Sequence, residues 1–360
     1  VIMAVRPRPS KSADSKPPAP VNVGIIGTGI GGAHFDGYSK LKNVRVVGLV
    51  DVDPARGKSV AERWGVPVVH AFTNHHDLLS LKELDAVSVC TPNYLHAQIA
   101  IDALNAGKHV ICEKPMAATL AQAKELFNVA KQSDKIFMMG YNNRYRGDTQ
   151  LLKKYIEAGE LGDLYYGKCG WIRRHGAPGP GSWFSTKSMS GGGPLIDLGV
   201  HALDLAWWLM GKPKPVSVSA SVFNLLMPQE WERLGRPGTM DVEDAAVAHI
   251  RFANGAAVLL EVSWLLHTPK ESFYCQVMGT KGGASAEPEF RICQDKHGAE
   301  VDLTPRAPNI GGHPAEIAHF VQCIRTNTQP FSTAEDGLLV MKMLDAIYRS
   351  GESGKAVTIT

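Results

Sequence analysis

The segment Gly27-Thr28-Gly29-Ile30-Gly31-Gly32 constrains this chain most, because it fits G-x-G-x-x-G and follows directly on the apolar run VNVGIIG (21–27). Glycines at those places permit a tight turn and a close backbone approach to a bound group. A helix starting there stabilises a pyrophosphate at its N-terminus. By itself the motif is a weak signal. Its context strengthens it: the next β-branched run, VRVVGLV (44–50), leads straight into Asp51, where the acid that binds ribose hydroxyls belongs. The six residues of the turn and Asp51 are therefore the expected dinucleotide site. A carboxylate at Asp51 accepts hydrogen bonds from the adenosine ribose and repels a 2′-phosphate, so NAD is favoured over NADP. Arg56 has two readings, a partner for such a phosphate or a solvated charge on an exposed helix.

From Val21 onward short β-branched runs alternate with helical segments, which implies parallel βαβ units. Candidate strands are 21–27, 44–50, 86–90, 109–112 and 135–140, with a short one near 67–70. Plausible helices lie near 31–42, 54–64, 94–107 and 119–133. After a linking helix near 149–159 the strands lengthen and follow one another without helices, at 164–174, 215–223, 245–253, 256–264 and 272–279. That succession, with the hairpin signal Asn254-Gly255, predicts a mainly antiparallel sheet. Helices near 313–326 and 334–350 close the chain. The expected architecture is α/β: a doubly wound dinucleotide-binding domain over 21–141 and a substrate-binding and oligomerisation α+β domain over 142–360. Residues 1–20, rich in Pro, Ser, Lys and Arg, read as an extended leader or as an arm over a neighbouring subunit.

Composition narrows the partners. With 44% hydrophobic and 20% charged residues the chain resembles an ordinary soluble protein. A net charge of +3 without any long basic run argues against a nucleic-acid ligand. The cysteines, Cys90, Cys112, Cys169, Cys275, Cys293 and Cys323, form no C-x-x-C pair and sit at no zinc-ligand spacing, so no metal is expected. Free thiols in apolar runs suit a reducing, cytoplasmic compartment. No window approaches the roughly 20 apolar residues that span a bilayer, so no membrane is expected.

Two further motifs carry a resemblance. Thr91-Pro92-Asn93 with His96, followed by Glu113-Lys114-Pro115, and then GGGPLIDLGVH (191–201), resemble the signature of the glucose-fructose oxidoreductase / inositol dehydrogenase / rhizopine-catabolism (Gfo/Idh/MocA) family. The likeness runs from Val21 through MGTKGG (278–283) and HPAEIAHFVQCIRTNTQP (313–330) to the closing helix. It implies a Rossmann domain followed by a large sheet that often makes the oligomer contact, here a homodimer or homotetramer. It also implies reversible hydride transfer at a sugar or cyclitol hydroxyl. Residue by residue, it implies Lys114, Asp197 and His201 as the catalytic group and a cis Lys114–Pro115 bond. Thr91, Pro92, Asn93, His96, Glu113 and Lys114 would adjoin the cofactor, although Glu113 reads equally as a simple ion pair.

The residue types suit that chemistry. With Pro194 opening a helix and Gly211 just past its end, Asp197, His201, Asp204 and Trp208 fall on one face, beside an apolar stripe of Leu198, Ala202, Leu205 and Leu209. Oxidising a secondary alcohol requires removal of the hydroxyl proton, a role for a group titrating near neutrality such as His201. Lys114 can stabilise the developing negative charge or itself take the proton. Arg144, Arg173, Trp183 and Lys187 are the expected substrate contacts along with Asp197 and His201; Tyr145, Trp171, Arg174 and His175 lie nearby in sequence. Two competing functions remain. One is a glycoside lyase or hydrolase that retains NAD and oxidises transiently, with Glu230, Glu232 or Asp244 as an additional acid or base. The other is a non-catalytic NAD-dependent sensor.

Overall fold

The computed structural model describes residues 19–360 except Pro180, Arg236, Pro237 and Thr239. Most of the leader or arm expected at 1–20 therefore lies outside the described residues. The first sheet comprises β1 (Val21–Ile26), β2 (Val44–Val50), β3 (Ala71–Phe72), β4 (Ala86–Val89), β5 (His109–Glu113) and β6 (Phe137–Gly140), all parallel in the order β3-β2-β1-β4-β5-β6. Its connections carry α1 (Gly31–Ser39), α2 (Pro54–Trp64), α3 (His75–Leu79), α4 (Asn93–Asn105) and α5 (Leu120–Gln132). The strands are short, nearly continuous apolar runs because helices cover both faces. The order reverses between β1 and β4, and a crevice opens beyond their carboxyl ends, where such sheets bind ligands. The strand expected near 67–70 is instead a 3₁₀ turn over Val68–His70, with the strand following it.

Helix α6 (Gly147–Glu157) leads to a nine-stranded sheet, ordered β14-β13-β12-β11-β7-β10-β9-β8-β15. Its strands are β7 (Leu164–Ile172), β8 (Pro215–Phe223), β9 (Ala245–Phe252), β10 (Ala257–Ser263), β11 (Ser272–Gly279), β12 (Gly282–Glu287), β13 (Arg291–Lys296), β14 (Ala299–Leu303) and β15 (Val357–Thr358). All neighbours are antiparallel except β7 and β10. The remaining helices are α7 (Lys187–Ser190), α8 (Val200–Leu209), α9 (Met227–Leu234), α10 (Gly312–Thr326) and α11 (Ala334–Ser353). Along β9 the buried Ala246, Ala248 and Ile250 alternate with the exposed Val247, His249 and Arg251, so one face is packed and the other is open. Helix α10 follows the second sheet in sequence yet packs on the first, where Ile317, Phe320 and Val321 join Val23, Ile25 and Tyr38 in one buried cluster. No described helix is long and apolar enough to cross a membrane.

Candidate active site

A single cavity of about 1520 Å³ runs from the carboxyl ends of β1 and β2 to the second sheet. Ligand sites usually measure about 300–1,000 Å³, so this one has room for a dinucleotide and a second small molecule. At one end it is lined by Gly27, Thr28, Gly29, Ile30, Asp51 and Arg56, while Gly31 and Gly32 begin α1 behind them. Gly27 has φ +94°, and a Cβ there would run into the Cys90 carbonyl, so only glycine fits this turn. Asp51 is buried and accepts hydrogen bonds from the Thr28 hydroxyl, the Asp53 N–H (3.0 Å), and Arg56 Nε (2.9 Å) and Nη2 (2.6 Å). Burial disfavours its charge, but the Arg56 and Thr28 hydrogen bonds outweigh burial and hold the carboxyl below its ordinary range. Thr91, Pro92, Asn93 and His96 continue the wall, and the buried Thr91 hydroxyl has no hydrogen-bond partner among the described residues. A glycine turn open to the cavity, a buried acid just after β2 and an uncommitted hydroxyl fit an NAD site.

The other end holds Glu113, Lys114, Asp197 and His201, beside Asn142, Asn143, Trp171, Trp183, Phe184 and His313. Lys114 follows β5, and its bond to Pro115 is cis. Its Nζ donates to the Asp197 carbonyl (3.0 Å) and to Asp197 Oδ1 (3.3 Å). The other carboxylate oxygen, Oδ2, accepts from Nε1 of the fully buried Trp264 (3.1 Å). Asp197 lies in a π-helical turn, Leu195–Gly199, in which the Val200 N–H reaches back five residues to the Leu195 carbonyl. Such turns are uncommon and often occur at functional sites. The turn is fixed from behind: Glu243 accepts from the Gly193 N–H (2.9 Å), the Leu195 N–H (3.0 Å) and the Tyr348 hydroxyl (2.9 Å). A Cβ on Gly193 would run into the Glu243 carbonyl. Burial, and then the charge of Lys114, push the His201 imidazole well below its ordinary value, so the ring is neutral at neutral pH. The Trp171 ring lies 5.8 Å from it.

The structure divides the expected residues. Asp197 and His201 line the cavity, but Asp204 and Trp208, one and two turns further along the regular helix α8, are buried in the interior, because the helix runs away from the cavity into the core. Arg144 is fully buried rather than a substrate contact. Its guanidinium donates to Asp204 (2.6 and 2.9 Å), to Asp336 (2.8 Å) and to the Phe331 carbonyl (2.8 Å), which uses its donors inside the fold. Arg173 lies outside the cavity lining and covers the Trp171 ring at 5.0 Å. Lys187 also lies outside the lining, with its nearest acid Glu352 at 3.9 Å. Trp183 does line the cavity, stacked on Phe184 at 3.7 Å. Both His96 nitrogens lie 2.7 Å from backbone carbonyls, those of Pro115 and Thr91, so this ring braces the two motifs.

Glu113 combines its two readings, since it lines the cavity and also pairs with the buried His34 (2.9 Å). Burial opposes its charge, yet the His34 hydrogen bond prevails and holds the carboxyl at about 2. Trp264, Glu243 and His34 were not singled out in the sequence, because each acts through partners far away in the chain, and His313 was seen only as the first residue of the 313–330 segment of the family likeness. Glu230 is paired with Arg233 on α9, Glu232 is exposed, and Asp244 caps α9 by accepting from the N–H groups of Leu225, Leu226 and Met227. None of these three acids lines the cavity.

A 3-2-1-4-5-6 parallel sheet with a glycine turn, a buried acid just after the second strand and a Lys–Asp–His wall defines a dinucleotide-dependent oxidoreductase. Models of the Gfo/Idh/MocA oxidoreductase family match twice, the NAD-binding Rossmann fold at residues 21–141 and the C-terminal alpha/beta domain at 153–359. The chain belongs to this family, and its cofactor is NAD. It is similar to the D-glucoside 3-dehydrogenase of Escherichia coli, with 32% identity over 95% of this chain and 98% of that protein. It is also similar to the levoglucosan dehydrogenase of Pseudarthrobacter phenanthrenivorans, 31% identical over 73% and 72% of the two chains. Among solved structures, a levoglucosan dehydrogenase in complex with NADH and L-sorbose superposes with a TM-score of 0.86, at 26% identity over 95% of this chain and 99% of that one.

Proposed function

We propose that this enzyme oxidises a secondary hydroxyl of a sugar, glycoside or cyclitol, and that glycosides are its foremost substrates. The observation that carries the reading is that Lys114, Asp197 and His201 line the same cavity as the glycine turn and Asp51. Glucoside and levoglucosan in the names of two relatives support the choice of glycosides. Bound NAD supplies the hydride acceptor. Neutral His201 accepts the hydroxyl proton, while Lys114, oriented by Asp197, donates to the oxygen as negative charge develops there. Trp171 and Trp183 offer apolar faces to the sugar ring. The NAD-retaining lyase or hydrolase has no additional acid in the cavity from Glu230, Glu232 or Asp244. The sensor reading gains no support from a cavity lined by all three reactive residues.

The test incubates purified protein with NAD and a panel of glucosides, anhydro sugars, free sugars and inositols and follows NADH in solution. NADH should accumulate with at least one glycoside, and Lys114→Ala and His201→Ala should each lower turnover by about 10²- to 10⁴-fold. Tight NAD binding with no NADH from any compound would overturn the reading. We further infer a homodimer or homotetramer through the open face of the second sheet, where Phe223, Val247 and Leu259 are exposed side by side. Val247→Asp with Leu259→Lys should then yield monomers by light scattering. The free cysteines support a reducing, cytoplasmic setting.

A further inference from the structure

Behind Lys114, on the side of β5 that faces α1 and α10, lies a buried group of side chains that the proposed chemistry does not use. One ring nitrogen of His34 and one carboxylate oxygen each from Glu113 and Glu316 all lie within 4.8 Å of one another, and all three residues are buried. His34 comes from α1, Glu113 from the end of β5 and Glu316 from α10. Glu316 has zero exposure, and neither of its carboxylate oxygens has a hydrogen-bond partner among the described residues. Burying a carboxylate without a partner is costly, and such groups in proteins are paired or coordinate a metal.

We propose that His34, Glu113 and Glu316 form a binding site for one divalent transition-metal ion, zinc being the representative probe. Bonds of about 2.0–2.2 Å from nitrogen and carboxylate oxygen to zinc set neighbouring ligand atoms roughly 3.4 Å apart in a tetrahedron. Spacing within 4.8 Å meets this with small side-chain adjustments. Burial raises the Glu316 carboxyl well above its ordinary value, so ligation would have to displace its proton. The two carboxylates then carry two negative charges, which a divalent ion balances. The imidazole selects zinc, iron or manganese over magnesium and calcium, which prefer oxygen alone. The second ring nitrogen is already held: His34 Nδ1 lies 3.0 Å from the Ser88 hydroxyl, which bonds the Tyr38 hydroxyl at 2.8 Å. Such a partner orients a ligating histidine. His313 lies outside this cluster, with its Nε2 4.0 Å from Glu113 Oε1, and its ring lines the main cavity, giving a route of entry.

A second cluster, His75, His76 and Asp102, also has ligand spacing, but it is partly open to solvent and both oxygens of its acid are bonded, whereas in the first cluster His34 and Glu113 pair at 2.9 Å and Glu316 is left without a partner among the described residues. Asp102 bonds His75 at 2.8 Å and Gln98 at 2.9 Å. It is the natural competitor, so the experiment removes it. Protein carrying His75→Ala and His76→Ala is stripped with a chelator, incubated with zinc, gel-filtered, and assayed for bound metal and thermal unfolding. About one zinc per chain should remain, with unfolding shifted to higher temperature because the ion binds only the folded state. Adding Glu316→Gln should bring retention to background and abolish the shift, with NAD affinity reporting that the variant is folded. Should that variant not fold, X-ray absorption at the zinc edge of the loaded parent decides the matter, the expected result being a nitrogen and oxygen shell with an imidazole signature. Absence of retained zinc, equal retention in the Glu316→Gln protein, or a sulfur shell would each overturn the proposal.

Discussion

Asp51 is held by Thr28, the Asp53 N–H and Arg56, and we propose that this arrangement sets the preference for NAD over NADP. Its carboxylate is gripped by two of the three guanidinium nitrogens of Arg56, Nε and Nη2, while that side chain is otherwise 57% exposed, so the arginine is tied to the acid and unavailable to a 2′-phosphate. Asp51→Ser should remove the repulsion and release Arg56 together, moving the kcat/KM ratio toward NADP by about 10- to 100-fold, the scale of one or two charge-assisted hydrogen bonds. Adding Arg56→Ala should reverse most of that gain. An unchanged ratio in Asp51→Ser would sink the argument. At the reactive end the comparable residue is Trp264, which touches Asp197 but not, on this geometry, the cavity. Trp264→Phe keeps the aromatic bulk and deletes the donor. Turnover should fall by about tenfold, the effect of one hydrogen bond to a charged group, while NAD affinity stays unchanged. A change in NAD affinity with turnover intact would argue that the indole only packs.

The turn carrying Asp197 depends on a neighbouring element, because the Gly193 and Leu195 N–H groups are satisfied only by the buried Glu243. Glu243→Ala should leave both donors unpaired at a cost of about 1–3 kcal/mol, seen as a lower unfolding temperature and as a loss in kcat with NAD affinity retained. Full kcat in a destabilised variant would show that the turn does not depend on Glu243. The same elements explain what was legible beforehand. The strands of the first sheet announce themselves as apolar runs because both their faces are covered, and GTGIGG with Asp51 has a spacing set by the nucleotide-binding crossover itself. By contrast GGASAE and RICQDK, which form β12 and β13, hold too many glycines and charges to show a strand pattern, since they lie toward the edge of the second sheet. A helical period places His201 and Asp204 on one face but does not show where the helix leaves the cavity for the core, so Asp204 looked like a cleft residue. Arg144 looked like a substrate contact for a related reason: its partners Asp204 and Asp336 lie 60 and 192 residues along the chain. Lys114, Asp197 and His201 were readable through two family motifs, whereas their supports Trp264 and Glu243 belong to none.

Across the whole molecule, neutral histidines tie stability to pH. Burial depresses His109, His201 and His319 below their ordinary value of 6.5. Two of them act as acceptors, His109 Nδ1 from the Ile136 N–H (2.9 Å) and His319 Nε2 from the Phe331 N–H (3.2 Å), so protonation at those nitrogens would turn each acceptor into a second donor facing a backbone N–H. The sign follows from proton counting. Below pH about 6.5 the unfolded chain binds protons that the folded rings refuse, so stability is fully present above that pH and is lost as pH falls through the folded values. Burial also raises three carboxyls, Asp204 to about 6 and Glu243 and Glu316 above their ordinary values, and these oppose the trend. Five depressed rings, His96 and His313 included, nevertheless face three raised acids, and the remaining carboxylates titrate near 4, so between about pH 6.5 and 5 the net sign stays with the rings. The unfolding temperature should therefore be level near neutrality and fall progressively across that window. A variant with His109→Asn and His319→Gln keeps an oxygen near each acceptor position but cannot titrate, so its decline should be shallower than that of the natural protein. Scanning calorimetry of both proteins at constant ionic strength is the measurement. A flat or rising unfolding temperature down to about pH 5.5 in the natural protein would refute the linkage, and an equally steep decline in the double variant would assign it to other groups.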